Sequence, residues 1–325
     1  AGKKVVINSG HTLVIENQVV VESATGASLT FEDSASLIQS SNVVNTGNII
    51  YKRNSVPIRQ ADYVYWSTPV KPQKLIDVSP LTKSDMFFSY NGSQWVRMTP
   101  STVMIVGKGY IIRGPETFSN TVRGAFTATF IGVPNNGDII GEVVSSGKSY
   151  LIGNPYPSAL DADDFINANN VLEGTLYFWT HNTPVVLGGA YKYSTDDYAT
   201  YNLSGGVGTA AASGNKAPGN NASIPSGQIA AGQSFFSKTV GSGTIIFNNL
   251  MRNGGNNNSQ FFKPKKASKT NGLEKHRIWL NMTNENGAFK QLMVGYIQGA
   301  SNDFEKKYDG ESLDGNKYLD FYSVN

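Results

Sequence analysis

Two stretches of the sequence gather oxygen ligands. Asp161, Asp163 and Asp164 crowd one, and Asp309, Glu311 and Asp314, with Asn316 behind them, form the other. Hard cations such as calcium take oxygen ligands from clusters of this kind, and extracellular β proteins use them to pin loops. The same acids also suit the positive end of a helix. Ser158 stands where an N-cap would, so a cap with a solvated turn is the preferred reading of the first group. The second group lacks the spacing and terminal Glu of an EF-hand. Aromatic rings are the other chemical resource. Trp66, Trp95 and Trp179, with Tyr63, Tyr65, Tyr177, Tyr191, Tyr193, Tyr198 and Tyr201, could stack on the apolar faces of sugars. They could equally be core, because aromatics carry much of the burial in β-sandwiches. Trp179, Tyr198 and Tyr201 are the candidate stacking residues, and the two tyrosines are expected to be the most exposed because they flank a long polar run.

Other chemistries find little support. There is no cysteine, hence no thiol nucleophile. His11, His181 and His276 are far apart, without the His-x-x-x-His spacing of a zinc site. No Gly-x-Ser-x-Gly elbow occurs. Ser145-Ser146-Gly147-Lys148 fits Ser-x-x-Lys only formally, in a turn. Gly206-Val207-Gly208-Thr209-Ala210-Ala211 imitates a dinucleotide fingerprint but lies in low-complexity sequence, without the strand and helix that fingerprint needs. The residues therefore lead us to expect no catalytic set and no organic cofactor. Calcium is the one ion that the acidic loops suggest.

The elements that would position these residues read as all-β. The 325 residues are only 16% charged, well below the roughly 25% usual in globular proteins. Gly, Asn, Ser and Thr fill the difference and favour turns. Residues 1–54 carry an eight-residue spacing, Val5, Leu13, Val21, Leu29 and Leu37, with Ile7, Ile15 and Phe31 two further on. A strand with two inward residues, then a turn, repeated at fixed spacing, predicts a short β-solenoid-like segment. A meander of hairpins is the alternative. Residues 55–262 alternate through many short segments, from Tyr63–Trp66 to Gly243–Phe247, and predict an antiparallel β-sandwich or jelly roll. One short helix follows Pro157, and residues 203–228 are expected to form a long surface loop. Residues 263–273 form a linker in which Lys263, Lys265, Lys266 and Lys269 concentrate the net charge of +3. Without a continuous basic face, that cluster implies no nucleic-acid partner. Residues 274–325 open a further, partial β-sandwich through a hairpin turn at Asn284-Glu285-Asn286-Gly287. No apolar run reaches the roughly 20 residues of a membrane-spanning helix.

Several phrases carry a resemblance. They are Tyr65-Trp66-Ser67-Thr68-Pro69-Val70, Gly107-Lys108-Gly109-Tyr110, Leu151-Ile152-Gly153-Asn154-Pro155-Tyr156-Pro157-Ser158 and Leu176-Tyr177-Phe178-Trp179. Lys275-His276-Arg277-Ile278-Trp279-Leu280 and Asp309-Gly310-Glu311 belong with them. Together they resemble the regions upstream of the sorting signal in large secreted Bacteroidota proteins, substrates of the type IX secretion system. The resemblance implies a secreted or outer-cell-surface location, with the type IX translocon and its shuttle proteins as partners during export. It also implies a C-terminal sorting domain, which is expected beyond Asn325. Asp33-Ser34-Ala35 resembles the three-residue O-glycosylation site of that phylum, with Ser34 as acceptor.

The resulting expectation is a non-catalytic, structural or adhesin-like surface protein. The alternative is a carbohydrate-binding module of a larger exported enzyme, with an extracellular polysaccharide as partner.

Overall fold

The N-terminal segment forms five short strands, β1 (Lys4–Ile7), β2 (Thr12–Ile15), β3 (Ser28–Phe31), β4 (Ser36–Gln39) and β5 (Ile49–Asn54); Val5, Leu13, Leu29 and Leu37 of the eight-residue spacing lie in the first four, whereas Val21 lies in no strand. They appear in a computed structural model that describes residues 2–183, 185, 193, 195–209, 224–259, 275–283, 289–311 and 321–323. β1 pairs with β3, β3 with β5, and β2 with β4, all in parallel. Hairpins would have given antiparallel ladders. Val5 stands opposite Leu29 and Leu13 opposite Leu37, so three eight-residue steps return the chain to the same side, 24 residues on. Leu29, Phe31 and Leu37 are buried by this stacking. Fully burying such a side chain contributes about 1.5–3 kcal/mol. Where the coil turns, Gln39 and Asn45 exchange side-chain amide hydrogen bonds at 2.8 Å, which satisfies two buried amides with each other.

The chain continues through β6 (Tyr63–Trp66), β7 (Val70–Lys71), the short helix α1 (Leu75–Val78), β8 (Phe87–Tyr90), β9 (Trp95–Arg97), β10 (Tyr110–Arg113) and β11 (Thr127–Pro134). Then come β12 (Ile139–Val144), β13 (Ser149–Gly153), β14 (Ala159–Asp161) and helix α2 (Ala162–Ala168). Next are β15 (Leu172–Trp179), β16 (Tyr198–Asn202) and β17 (Gly205–Val207), followed by β18 (Gln228–Ile229), β19 (Ser234–Thr239), β20 (Gly243–Phe247) and β21 (Arg252–Asn253). The long hairpin strands β22 (Lys275–Thr283) and β23 (Phe289–Ile297) come last. The protein is thus mostly β, arranged in several sheets; among the described residues there are two short α-helices, and no helix is long and apolar enough to cross a membrane.

These elements fall into two compact units. The first is Ala1–Leu172 with Gln228–Phe261, and the second is Glu173–Gly227 with Phe262–Asn325. The division expected at residue 54 falls inside one sheet, because β5 pairs with β3 on one edge and with β11, antiparallel, on the other. The segments expected at 263–273 and 284–287 lie outside the described residues. Residues 205–207, expected within a loop, form β17.

In the first unit, β6, β10, β8 and β9 make an antiparallel sheet, β13 pairs with β19, β12 with β20, and β14 lies between β18 and β21. Irregular backbone threads between these ladders, and its polar groups must be satisfied by side chains. Asn154 is fully buried and does much of this. Its Nδ2 donates to the carbonyls of Ser158, Ile229 and Ala230 at 2.8–3.1 Å, and its Oδ1 accepts from Tyr156 N. Ser67 Oγ donates to Asn154 O, and Asn135 Nδ2 donates to Thr68 O and Pro155 O. The strands approach so closely here that side chains are excluded. A Cβ on Gly153 would collide with Ser67 Oγ, and one on Gly109 would lie 2.5 Å from Leu151 Cγ.

Arg252 is the second joint. It is buried, and its guanidinium donates to Asn136 Oδ1, Asn249 Oδ1, Leu37 O and Ser158 Oγ at 2.5–3.3 Å. It also lies 4.7 Å above the Tyr156 ring, whose hydroxyl donates to Gly137 O. Burial lowers the guanidinium pKa to about 10, and burial raises that of the Tyr156 hydroxyl. Arg252 therefore bears a desolvation cost that its fork of hydrogen bonds and the Tyr156 ring offset. Arg252→Met should destabilise the first unit by about 3 kcal/mol, since the buried acceptors around it lose their donor. Arg252→Lys should recover only part of that loss, as read from urea-unfolding midpoints.

Candidate functional site

The acidic cluster near α2 is a helix cap. Asp161, not Ser158, is the N-cap. Its Oδ1 accepts from the backbone N–H groups of Asp163 and Asp164 at 3.0 and 3.1 Å. Its Oδ2 accepts from Gln228 Nε2 and Asn253 Nδ2 at 2.9 and 3.1 Å. Ser158 cannot take the role, because Ala159–Asp161 is extended and paired with β18 and β21, which delays the helix to Ala162. Among the described residues no three His, Cys, Asp or Glu side chains converge in a way that could hold a metal ion. Ser34 sits in a tight turn at φ +67°, is buried, and its Oγ donates to Asp33 Oδ2.

The aromatic residues separate sharply. Trp66 and Tyr177 are buried, and Trp179 and Tyr201 retain only 6% and 8% exposure. The expectation that Tyr201 is exposed is thereby corrected: it pairs opposite Leu176 in the β15–β16 ladder, with its side chain on the packed face. Trp179 meets Tyr198 edge-on at 5.1 Å. In the first unit Trp95 is partly exposed, but it meets Tyr65, Tyr90 and Phe236 edge-to-face at 5.2–6.2 Å rather than in a flat row. Tyr191 and Asp314 lie outside the described residues.

The second unit contains a groove that gathers several of the candidate residues. There β15, β16 and β17 make an antiparallel sheet, and β22 and β23 form an antiparallel ladder. Trp279 Nε1 donates to Gly206 O at 2.9 Å, and Gly208 N donates to Gln291 Oε1 at 2.8 Å, which ties the hairpin to β17 and the turn after it. The segment Phe304–Glu311 closes one side. Asn202 Nδ2 and Ser204 Oγ both donate to Tyr308 O, at 2.8 and 2.7 Å, and Asp309 Oδ2 accepts from Glu305 N. The resulting groove has a volume of about 610 Å³ and brings together three sequence candidates, Tyr198, Asp309 and Glu311. Half-buried aromatic surface beside amide, hydroxyl and carboxylate groups can bind polar, ring-shaped ligands. Asn202, Ser204, Gln291 and Tyr308, which build its walls, escape a sequence reading because their partners lie up to 106 residues away.

The crowded carboxylates of α2 have a pH signature. Burial first, then the charges of Asp161 and Asp163, raise the Asp164 pKa above its ordinary value. A group whose folded pKa is raised contributes stability while protonated and loses it as the pH rises through the folded value. Asp164→Asn should therefore raise the unfolding midpoint at neutral pH. That gain should shrink as the pH falls below the carboxylate range. Denaturant titrations at neutral and acidic pH check this, and a loss at neutral pH would mean that attraction to the helix N-terminus dominates.

A search of curated proteins and a search of solved structures each give no match. The family model described as "Domain of unknown function (DUF8693)" matches residues 1–325. Since that match covers the coil, both compact units and the groove alike, the chain belongs to the DUF8693 family.

Proposed function

We propose that this protein is a non-catalytic, exported cell-surface protein, a structural and adhesin-like scaffold carried outward by the type IX secretion system. The observation that carries the scaffold reading is the 24-residue parallel stacking of β1 on β3 and β2 on β4. Stacked rungs of this kind form spacers, because each rung contacts only its neighbours and length is added without a new fold. We read β1–β5 as a short β-solenoid and the antiparallel ladders of the first unit as a sandwich set upon it. Export, the surface location and the translocon partners rest on the resemblance carried by phrases such as Tyr65–Val70, Leu151–Ser158 and Lys275–Leu280. Adhesion by such a scaffold would be multivalent and individually weak.

The groove of the second unit supports a second reading, a carbohydrate-binding module. Tyr198 would stack on a sugar face while Asn202, Asp309 and Glu311 bond to its hydroxyls. A glycan array and polysaccharide pull-downs, run with calcium and then with chelator, separate the two. The scaffold reading predicts no specific retention and no release of soluble sugars under either condition. Saturable retention abolished by Tyr198→Ala would replace it with the binding module, and release of soluble sugars would overturn both.

A further inference from the structure

An asparagine followed by glycine is a reactive pair as well as a turn signal. With no side chain in the way, the glycine nitrogen can attack the amide carbon of the asparagine. Three such pairs fall among the described residues, Asn91-Gly92, Asn136-Gly137 and Asn253-Gly254. In two of them the reacting atoms are tied down. Asn136 is half-buried, and its Nδ2 donates to Ser41 O and Val43 O at 2.8 and 2.9 Å. Gly137 N, the atom that would attack, already donates to Asn249 Oδ1 at 3.2 Å. Asn253 is half-buried in the β14–β21 ladder, and its Nδ2 donates to Asp161 Oδ2 and Gln228 Oε1 at 3.1 and 3.0 Å.

Asn91 has the opposite pattern. It is exposed in the loop that joins β8 to β9, beside the facing pair Tyr90 and Trp95. Its Oδ1 accepts from the backbone N–H groups of Ser93 and Gln94 at 3.1 and 3.0 Å. Among the described residues, no hydrogen bond holds its Nδ2 or Gly92 N. Gly92 has φ +92°, and a Cβ there would lie 3.1 Å from the Tyr150 ring, so the position suits glycine alone. Two N–H groups converging on the amide oxygen stabilise the negative charge that develops there when the carbon is attacked, as an oxyanion hole does.

We infer that Asn91-Gly92 is a self-modification site, at which the chain converts its own amide to a carboxylate. Gly92 N bonds to Asn91 Cγ and the Cγ–Nδ2 bond breaks. Nδ2 leaves as ammonia, taking the proton that Gly92 N gives up. Water then opens the cyclic imide at one of its two carbonyls. Opening at Cγ gives aspartate, and opening at the main-chain carbonyl gives isoaspartate, with one more carbon in the backbone of the loop. Ser93 Oγ accepts from Lys148 Nζ at 3.1 Å, so either product sets its charge beside an ammonium group. β9 is the end strand of its sheet and pairs with β8, so the longer isoaspartate loop loosens Trp95–Arg97. The inference stands on loop geometry and holds whether or not the protein is exported or binds a glycan.

The full 325-residue chain is held in mildly alkaline buffer, once native and once in urea. Peptide maps that separate aspartate from isoaspartate are taken over time, and urea supplies the rate of each pair without the fold. In the native chain Asn91 should convert at least about tenfold faster than Asn136 or Asn253, because its nitrogens are free while two donors meet its oxygen. It should also convert no slower than in urea. Hydrogen exchange within Trp95–Arg97 should quicken as isoaspartate accumulates, and Asn91→Gln, whose longer side chain would need a larger ring, should abolish both changes. Asn91 intact in the native chain but converted in urea would overturn the inference, since the fold would then protect the pair. Native conversion at Asn136 or Asn253 as fast as at Asn91 would overturn it as well.

Discussion

A β protein made of many short strands leaves long stretches of backbone outside any ladder, and where that backbone is buried its polar groups must find partners. This chain has no cysteine to staple such segments. In the first unit, side-chain amides meet the requirement. Asn154 holds three carbonyls and one N–H, Asn135 holds two carbonyls, and Gln233 Oε1 accepts from Ala230 N. Asn258 receives Ala231 N and donates to Ala35 O and to the Tyr51 hydroxyl, whose pKa burial pushes up to about 12. Each bond adds modestly to stability, but leaving any one of these buried groups unmet would cost more than the bond contributes.

This constraint changes the meaning of the phrases that carry the family resemblance. Ser67, Gly109, Gly153 and Asn154 lie where strands pass within van der Waals contact, and their identities follow from close packing and carbonyl satisfaction. Such residues specify a scaffold. The groove of the second unit is different in kind, since Asp309 and Glu311 are exposed while Asn202 and Ser204 brace its wall.

Much of the fold is legible in local sequence. Tyr63–Trp66 and Gly243–Phe247 are strands with the predicted limits, because alternation and flanking turns are local signals. The eight-residue spacing marks β1 to β4 as strands, but their parallel pairing at a 24-residue offset does not follow from it, since hairpins share the same period. Ser158 is a sound N-cap in isolation and fails only because β18 and β21 capture Ala159–Asp161 as a strand. Tyr201 borders a Gly-rich run and reads as exposed, yet ladder pairing turns it inward. The groove is the least legible element, because Asn202, Gln291 and Tyr308 come from separate segments joined by long-range side-chain hydrogen bonds rather than by spacing.

Buried amides, rather than apolar burial alone, hold the irregular core segments in place. Native-state hydrogen exchange of Asn154→Leu, which keeps the γ-branched side-chain shape and removes the polar groups, tests this directly. The expected result is a sharp loss of protection confined to residues 151–158 and 229–236, with β22 and β23 unchanged. Protection retained in those segments, or a uniform decline across both units, would contradict it.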